Sequence, residues 1–366
     1  MSVSVGRNAV LGFRIRAQQL DRDSSTVADT AVLDFGVQDT GGDGALWALA
    51  CRGIDPGSIG DRELVLLWTL RGAPHQYRRA DLAAVAAAVQ PYSDEDAAKR
   101  IFDAAKPLKA AGISPLTALD AVAEAMRAVV TRPMVKGEVS TEVTQRLPEP
   151  YRRACRPCNA IHLYEQTFRL GATRAGLELE PDTSPPVLRR VPSWRPATTV
   201  PPRFDLVRGY LRFLGPATPK LVAEFLDAPV KVINQRWPED AVPVEVDGEK
   251  RWVLADDVDA LSGGPAKVTR LLAPFDLFLQ ARDRSLLVPS AERAKSVWMV
   301  LGRPGAVLHQ GDLVGIWRPR QSGRRLRLQV ELWTTPTAAV KRAVTEQAER
   351  LAAYRNVTLA GVDIGG

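Results

Sequence analysis

A chain of 366 residues is too long for one small core and fits two to four modest domains. Its hydrophobic share of 45% is that of an ordered globular protein, no apolar run reaches bilayer-spanning length, and no signal peptide is read at the start. A formal net charge of +7 permits a polyanionic partner, and three cysteines, an odd number, fit a reducing cytoplasm better than a secreted disulfide framework.

In chain order, "RNAVLGFRIRAQQLDR" spaces its apolar residues as a helix does. "DFGVQDTGGDGALWALACRG", residues 34–53, sets a polar, Gly-rich turn before a second helix that stops at Gly53. Ser58 signals a helix start, "LVLLWTLRG" reads as a helix end or a short strand, and "HQYRRADLAAVAAAV" reads as renewed helix. Residues 114–182 repeat the plan. Ser114-Pro115 is a cap with proline at the first helical position. "KGEVSTEVTQRLP" predicts a short strand and then a short helix, and "AIHLYEQTFRLGATRAG" a helix closed by Gly176. The Pro-rich stretch 181–203 reads as an ordered linker.

Residues 204–257 show the plan most plainly. "FDLVRGYLRFLG", "TPKLVAEFLD" and "APVKVINQRWPED" predict three helices, and two alternating strands meet at Asp247-Gly248, a strong hairpin signal. Three helices and a hairpin make a winged helix, a helix-turn-helix with a β wing. The last hundred residues predict an antiparallel sheet followed by the amphipathic helix "TAAVKRAVTEQAERLAAYRN". The expected fold class is α+β, mainly α: tandem winged-helix modules with a C-terminal antiparallel sheet and terminal helix. The expected divisions are 1–112, 113–200, 201–262 and 263–366.

Positive charge concentrates in "WRPRQSGRRLRLQVELW", where Arg318, Arg320, Arg324, Arg325 and Arg327 crowd a hairpin tip. Arginine grips phosphate bidentately, so this hairpin suits duplex DNA. The alternative is a solvated edge strand whose charges block aggregation. Cys155, Cys158 and His162 have C-x2-C-x3-H spacing, but no second Cys or His pair follows to complete a zinc site; Cys51 and His75 would serve only if the fold brought them near. Core packing of the cysteines is the reading we prefer, and no metal is expected. Walker, dinucleotide and nucleophile-elbow motifs are missing, so no cofactor is expected. Any catalysis must use carboxylates, amides or bound water.

These residues together resemble the winged-helix DNA glycosylase family, the alkylpurine and interstrand-crosslink glycosylases of bacteria. The resemblance rests on "DFGVQDTGGDGALWALACRG", "LWTLRGAPHQYRRADL", "CNAIH", "RGYLRFLGPATPKLVAEFL", "LLAPFDLFLQARDR" and "GDLVGIWRPR", in order over most of the chain. It implies a basic concave surface of tandem winged helices for double-stranded DNA and hydrolysis of the N-glycosidic bond of N7- or N3-alkylated purines. Apart from the resemblance, the expected partner is double-stranded DNA and the expected state a monomer. The resemblance also implies a Gln-Φ-Gln or Gln-Φ-Asp catalytic motif, Φ being aliphatic. An N7-alkylpurine is cationic and already a good leaving group, so neutral amides or one carboxylate suffice.

The motif departs here. Without a gap, Gln38 takes the first position, Asp39 the Φ position and Thr40 the last; with a local deletion, Asp39 becomes the motif carboxylate. Adjacent residues on an extended segment face opposite sides, so Gln38 and Asp39 share a site only in a turn. Gln38 and Asp39 are the candidate catalytic residues, with Thr40, Asp43 and His75 as support. The competing structural role for Gln38-Asp39 is a turn and helix cap, and for His75 a packed position behind the site. The expected function is a monofunctional DNA glycosylase. The alternatives are a winged-helix DNA-binding protein that lost catalysis, acting as regulator or lesion protector, and a protein-interaction module with no DNA affinity.

Overall fold

The computed structural model describes residues 3–42, 44–157 and 159–365. Asp43 and Cys158, both named above, lie outside the described residues.

Where the signals are local, the elements form as read. The helix Pro115–Val129 starts at Ser114, whose Oγ accepts from the Thr117 N–H at 3.3 Å. The helix Pro219–Leu226 starts in the same way at Thr218. Asp205 accepts from the N–H groups of Val207 and Arg208, both at 2.9 Å, and opens the helix Leu206–Leu214. The strands Ala241–Val246 and Glu249–Leu254 meet at Asp247 (φ 48°) and Gly248 (φ 86°), the two left-handed residues of a tight hairpin.

The N-terminus packs against this unit. Val3–Val5 adds a parallel strand to the hairpin. The helix Arg7–Ala17 sends Arg14 Nε to the carbonyl of Gly215 and Gln18 Nε2 to that of Phe213, each at 2.9 Å. Phe35 stacks on Phe225 at 5.4 Å and lies so close to Gly209 that an added Cβ would meet its ring at 2.4 Å.

Four stretches differ from their sequence expectation. Ser58 ends a single turn, Pro56–Ser58, and starts no long helix. "HQYRR" is the strand Pro74–Arg78, with helix only from Leu82 to Ala88. It lies between the strands Val37–Gln38 and Leu64–Trp68, where sheet pairing on both sides outweighs helical spacing. Ala160–Leu163 is likewise a strand, paired with Arg152–Cys155, and the helix begins at Glu165. "KGEVSTEVTQR" is helical throughout, because Val139 and Val143, one turn apart, both reach the core.

One six-stranded sheet combines strands from 37–78 with Met134–Val135, Leu177–Leu179 and Val187–Arg190, so part of the Pro-rich stretch is a sheet strand. The C-terminal sheet is mixed. Thr269–Leu272, Gly305–His309, Asp312–Ser322 and Arg325–Leu332 run antiparallel in turn. After the helix Ala338–Tyr354 a further strand, Thr358–Gly365, lies parallel to Arg325–Leu332. A helix between two strands supplies the crossover that a parallel pair requires.

Two buried arginines tie the C-terminal unit to the N-terminal one. Arg52 and Asp276 are both fully buried and pair in a fork, at 2.8 and 3.0 Å. The other Arg52 donors bind the carbonyls of Gln18 and Ala48 and the Gln18 side chain, so all five N–H groups have acceptors. Arg14 grips Asp283 in the same way, at 2.7 and 3.0 Å, and Arg251 joins that carboxylate. Removing one partner of a buried pair strands the other charge. Arg52→Met should therefore cost about 3–5 kcal/mol in urea unfolding, with only part of it recovered in Arg52→Met/Asp276→Leu, because the Gln18 and Ala48 acceptors stay unpaired.

Candidate active site: an arginine-lined cavity at Gln38

The strand Val37–Gln38 forms one edge of the six-stranded sheet, with Gln38 in register with His75. The Asp39 N–H donates to the Pro74 carbonyl at 2.8 Å, continuing the extended path. Alternation then sends Gln38 and Thr40 to one side and Asp39 to the other. Gln38 Nε2 donates to Thr40 Oγ1 at 3.1 Å. Asp39 Oδ1 accepts from the Ala45 N–H at 2.8 Å, at the start of the helix Gly44–Ala50. Burial raises the Asp39 pKa, the Ala45 N–H opposes the rise and Asp182 adds to it. Asp39 and Asp182 line a cavity of about 430 Å³, and Gln38 lines a different one. The structure thus brings Gln38 together with Thr40 and places Asp39 at a helix start.

The cavity at Gln38 measures about 280 Å³. Four arginines line it, Arg71, Arg282, Arg284 and Arg303, together with the second amide of Gln280. Among the described residues no carboxylate is part of this lining. Arg71 sits in a left-handed turn (φ 56°) and reaches inward. Its Nη2 donates to Gln280 Oε1 at 2.6 Å and makes a longer contact of 3.5 Å with Gln38 Oε1. Its Nη1 holds the Phe225 carbonyl at 2.9 Å, and the guanidinium lies over the Phe225 ring at 4.5 Å. Arg71 therefore joins the two amides across the cavity.

The cations crowd one another. Burial, and then the charge of Arg282, bring Arg71 down to about 10, which leaves it charged near neutrality. Burial and neighbouring arginines also lower Arg284 and Arg303. Aromatic faces offset part of this cost: Arg284 lies over Trp298 at 5.0 Å and Arg303 over Phe275 at 4.6 Å. Arg282 Nε is buried and has no acceptor among the described residues. An anion entering this cavity meets donors already in place.

His75 lies behind the site, 2% exposed. Its Nδ1 is 3.0 Å from both Thr69 Oγ1 and the Ala73 carbonyl, and Thr69 Oγ1 is 2.8 Å from the Tyr77 hydroxyl. Burial, and then the charge of Arg71, lower its pKa to about 3, so it stands neutral beside the cavity.

The C-terminal hairpin gives its basic residues one face. The register pairs Arg318 with Gln329, Arg320 with Arg327 and Ser322 with Arg325, so Arg318, Arg320, Arg325 and Arg327 share a side. Leu326, Leu328 and Val330 face the core between them. Arg324 is exposed at the tip, and Arg327 is paired with Asp363 at 2.8 Å. At the other candidate cluster, Cys155 and His162 lie on paired strands, and His162 Nδ1 is 2.7 Å from the Leu163 carbonyl. Among the described residues no group of His, Cys, Asp and Glu is placed to hold a metal ion. No helix among them is long and apolar enough to cross a membrane.

Sequence reasoning missed Arg71, Gln280, Arg282, Arg284 and Arg303. The signal was partly there: "RGAPHQY" and "LLAPFDLFLQARDR" carry all but Arg303, and both segments bear the family resemblance.

The profile described as DNA glycosylase AlkZ-like matches residues 37–354. The chain belongs to the AlkZ-like DNA glycosylase family. Among solved structures it is similar in fold to the Streptomyces sahachiroi DNA glycosylase AlkZ, with a TM-score of 0.73 and 20% identity over 100% of both chains. No curated protein matches it.

The burial of His75 has a measurable consequence. The unfolded imidazole titrates near its ordinary 6.5 and the folded one near 3. Below pH 6.5 the unfolded chain takes up a proton that the folded chain refuses. Stability from this group is complete above pH 6.5 and falls as pH drops toward 3, by up to about 1.4 kcal/mol per pH unit. His75→Gln should flatten the plot of unfolding free energy against pH between 6.5 and 4; parallel plots would show that His75 protonates in the folded state.

Proposed function

We propose that this protein is a monofunctional DNA glycosylase that binds duplex DNA as a monomer in the cytoplasm and hydrolyses the N-glycosidic bond of alkylated purines. The observation that carries the reading is the cavity with two amides, four arginines and no carboxylate among its described lining residues. The leaving group of an N7- or N3-alkylpurine is cationic before the bond breaks, so departure needs no proton from the protein. What remains is to place a water molecule and to hold the DNA strand.

Gln38 and Thr40 provide acceptors for that water on one side of the strand, and Gln280 provides another across the cavity. Arg71 is a positioning residue that fixes both amides. Arg282, Arg284 and Arg303 grip phosphates beside the lesion, and Arg318, Arg320, Arg324, Arg325 and Arg327 track the duplex further out. Asp39, turned to the helix start, keeps the loop in shape; Asp43 stays a supporting candidate from the sequence alone. The helices Leu206–Leu214, Pro219–Leu226 and Val230–Gln235 with their hairpin are the plainest of the tandem winged helices on which this DNA surface is built.

Base release from a duplex carrying N7-methylguanine or a bulkier N7-guanine adduct tests the reading. Gln38→Ala should slow release about 100-fold. Asp39→Asn keeps a capping side chain and should stay near the wild-type rate. Loss in Asp39→Asn with Gln38→Ala unaffected would overturn these roles. Thr40 at the motif's last position favours a second reading, a DNA-binding protein without catalysis; tight binding with no release from any adduct selects it. Arg284→Ala and Arg320→Ala should each reduce the salt slope of duplex binding by about one.

A further inference from the structure

The segment joining the helix Ala291–Val297 to the strand Gly305–His309 carries a feature that the cavity does not explain. Val300 is 94% exposed and Leu301 83% exposed, side by side at the tip of a turn, with Met299 half-exposed before them. Single exposed aliphatic residues are ordinary on a protein surface. An adjacent pair held out at the apex of an anchored turn is not.

The base of this turn is fixed. Trp298 is buried and donates its indole N–H to the Leu279 carbonyl at 2.9 Å. Arg303 Nε reaches back to the Met299 carbonyl at 3.4 Å while its guanidinium rests on Phe275. Gly302 takes φ +63°, which lets the chain reverse directly after Leu301. The tip also lies between two cationic surfaces. Trp298 and Arg303 line the cavity of Gln38, so one flank of the turn is a wall of that site. On the other flank, Arg318 Nη2 lies 3.4 Å from Met299 Sδ, which joins the turn to the arginine face of the hairpin.

We propose that Val300 and Leu301 form an apolar wedge that enters the base stack of duplex DNA beside the nucleotide held at Gln38. Proteins that unstack a base step do so with an aliphatic or aromatic tip, with cations on either side holding the phosphates. Both parts are present, in that order along the surface. Two side chains are too small an apolar area to hold a membrane or a stable protein partner, and the adjoining cavity selects for anions. The wedge supplies what the cavity lacks: a means of opening the duplex so that the sugar of the damaged nucleotide meets Gln38. This inference rests on the DNA-binding reading but not on catalysis.

The full-length chain and its Val300→Ser/Leu301→Ser variant would be compared on a duplex with 2-aminopurine next to the modified base, a probe that brightens when unstacked. The wild type should raise the fluorescence severalfold on binding. The variant should bind about tenfold more weakly and, at saturation, raise it little. Because both side chains are exposed, its melting temperature should match the wild type, which separates wedge loss from misfolding. An equal rise with both proteins, or wild-type binding with no rise, overturns the wedge and leaves DNA binding intact. No wild-type binding to the duplex at low salt overturns the DNA reading and the wedge with it. Loss of binding to anionic vesicles with no change on DNA assigns the tip to a lipid surface and overturns the wedge.

Discussion

The Arg52–Asp276 pair is the interaction on which the site depends. Both partners are fully buried, and burying two charges is costly unless every donor finds an acceptor. Here each does, because Gln18, Ala48 and Asp276 enclose the guanidinium from three segments of the chain. Asp276 also caps the turn that follows it, accepting from the Phe278 N–H at 2.9 Å. Seven residues later Asp283 is held by Arg14 and Arg251. The stretch between these two anchors carries Gln280 and Arg282, and Arg284 follows directly. The acidic residues of "PFDLFLQARDR" face inward to cations, which leaves its amide and its arginines for the cavity.

Such anchoring matters because the cavity is electrostatically unfavourable when empty. Arg71, Arg284 and Arg303 all have lowered pKa values from burial and from cationic neighbours. Mobile side chains would separate and take up water. These are held by stacking on Phe225, Trp298 and Phe275 and, for Arg71, by bonds to Gln280 and the Phe225 carbonyl. The repulsion that remains is relieved when an anion enters, so binding and folding are coupled at this site: a polyanion that occupies it stabilises the folded chain.

How much of this was legible in the sequence follows from where each signal resides. Caps at Ser114, Asp205 and Thr218 and the hairpin at Asp247-Gly248 depend on neighbouring residues, and the structure has them as read. The spacing of "HQYRR" and "AIHL" predicts helix, but their strand state is set by partners elsewhere in the chain, which spacing does not reveal. The site divides in the same way. Gln38 and Thr40 are two residues apart on one strand, and their common side follows from β alternation alone. Gln280 joins them only through Arg71, which is 209 positions away from it. No local pattern carries that contact. The placement of Asp39 was open in the sequence between site and cap, and the Ala45 N–H gives it the cap geometry.

If the ungapped register of the motif holds, Thr40 in place of its second glutamine is not simply the loss of an acceptor. On the proposed reaction, the second acceptor need not come from the same strand, provided that something holds it rigidly opposite the first. Arg71 does this for Gln280, at the cost of a buried cation that must itself be stacked and hydrogen-bonded. The neutral state of His75 belongs to the same arrangement. A protonated imidazole behind Gln38 would add a fifth cation to the crowded wall, and the nearby charge of Arg71 already disfavours it. On the proposed reaction the alkylpurine is cationic before the bond to the sugar breaks and leaves as a neutral base when the bonding pair moves onto it, so it has no use for that proton. A cavity of amides and arginines with its histidine kept neutral suits a substrate whose base supplies the driving force and whose phosphates supply the attraction.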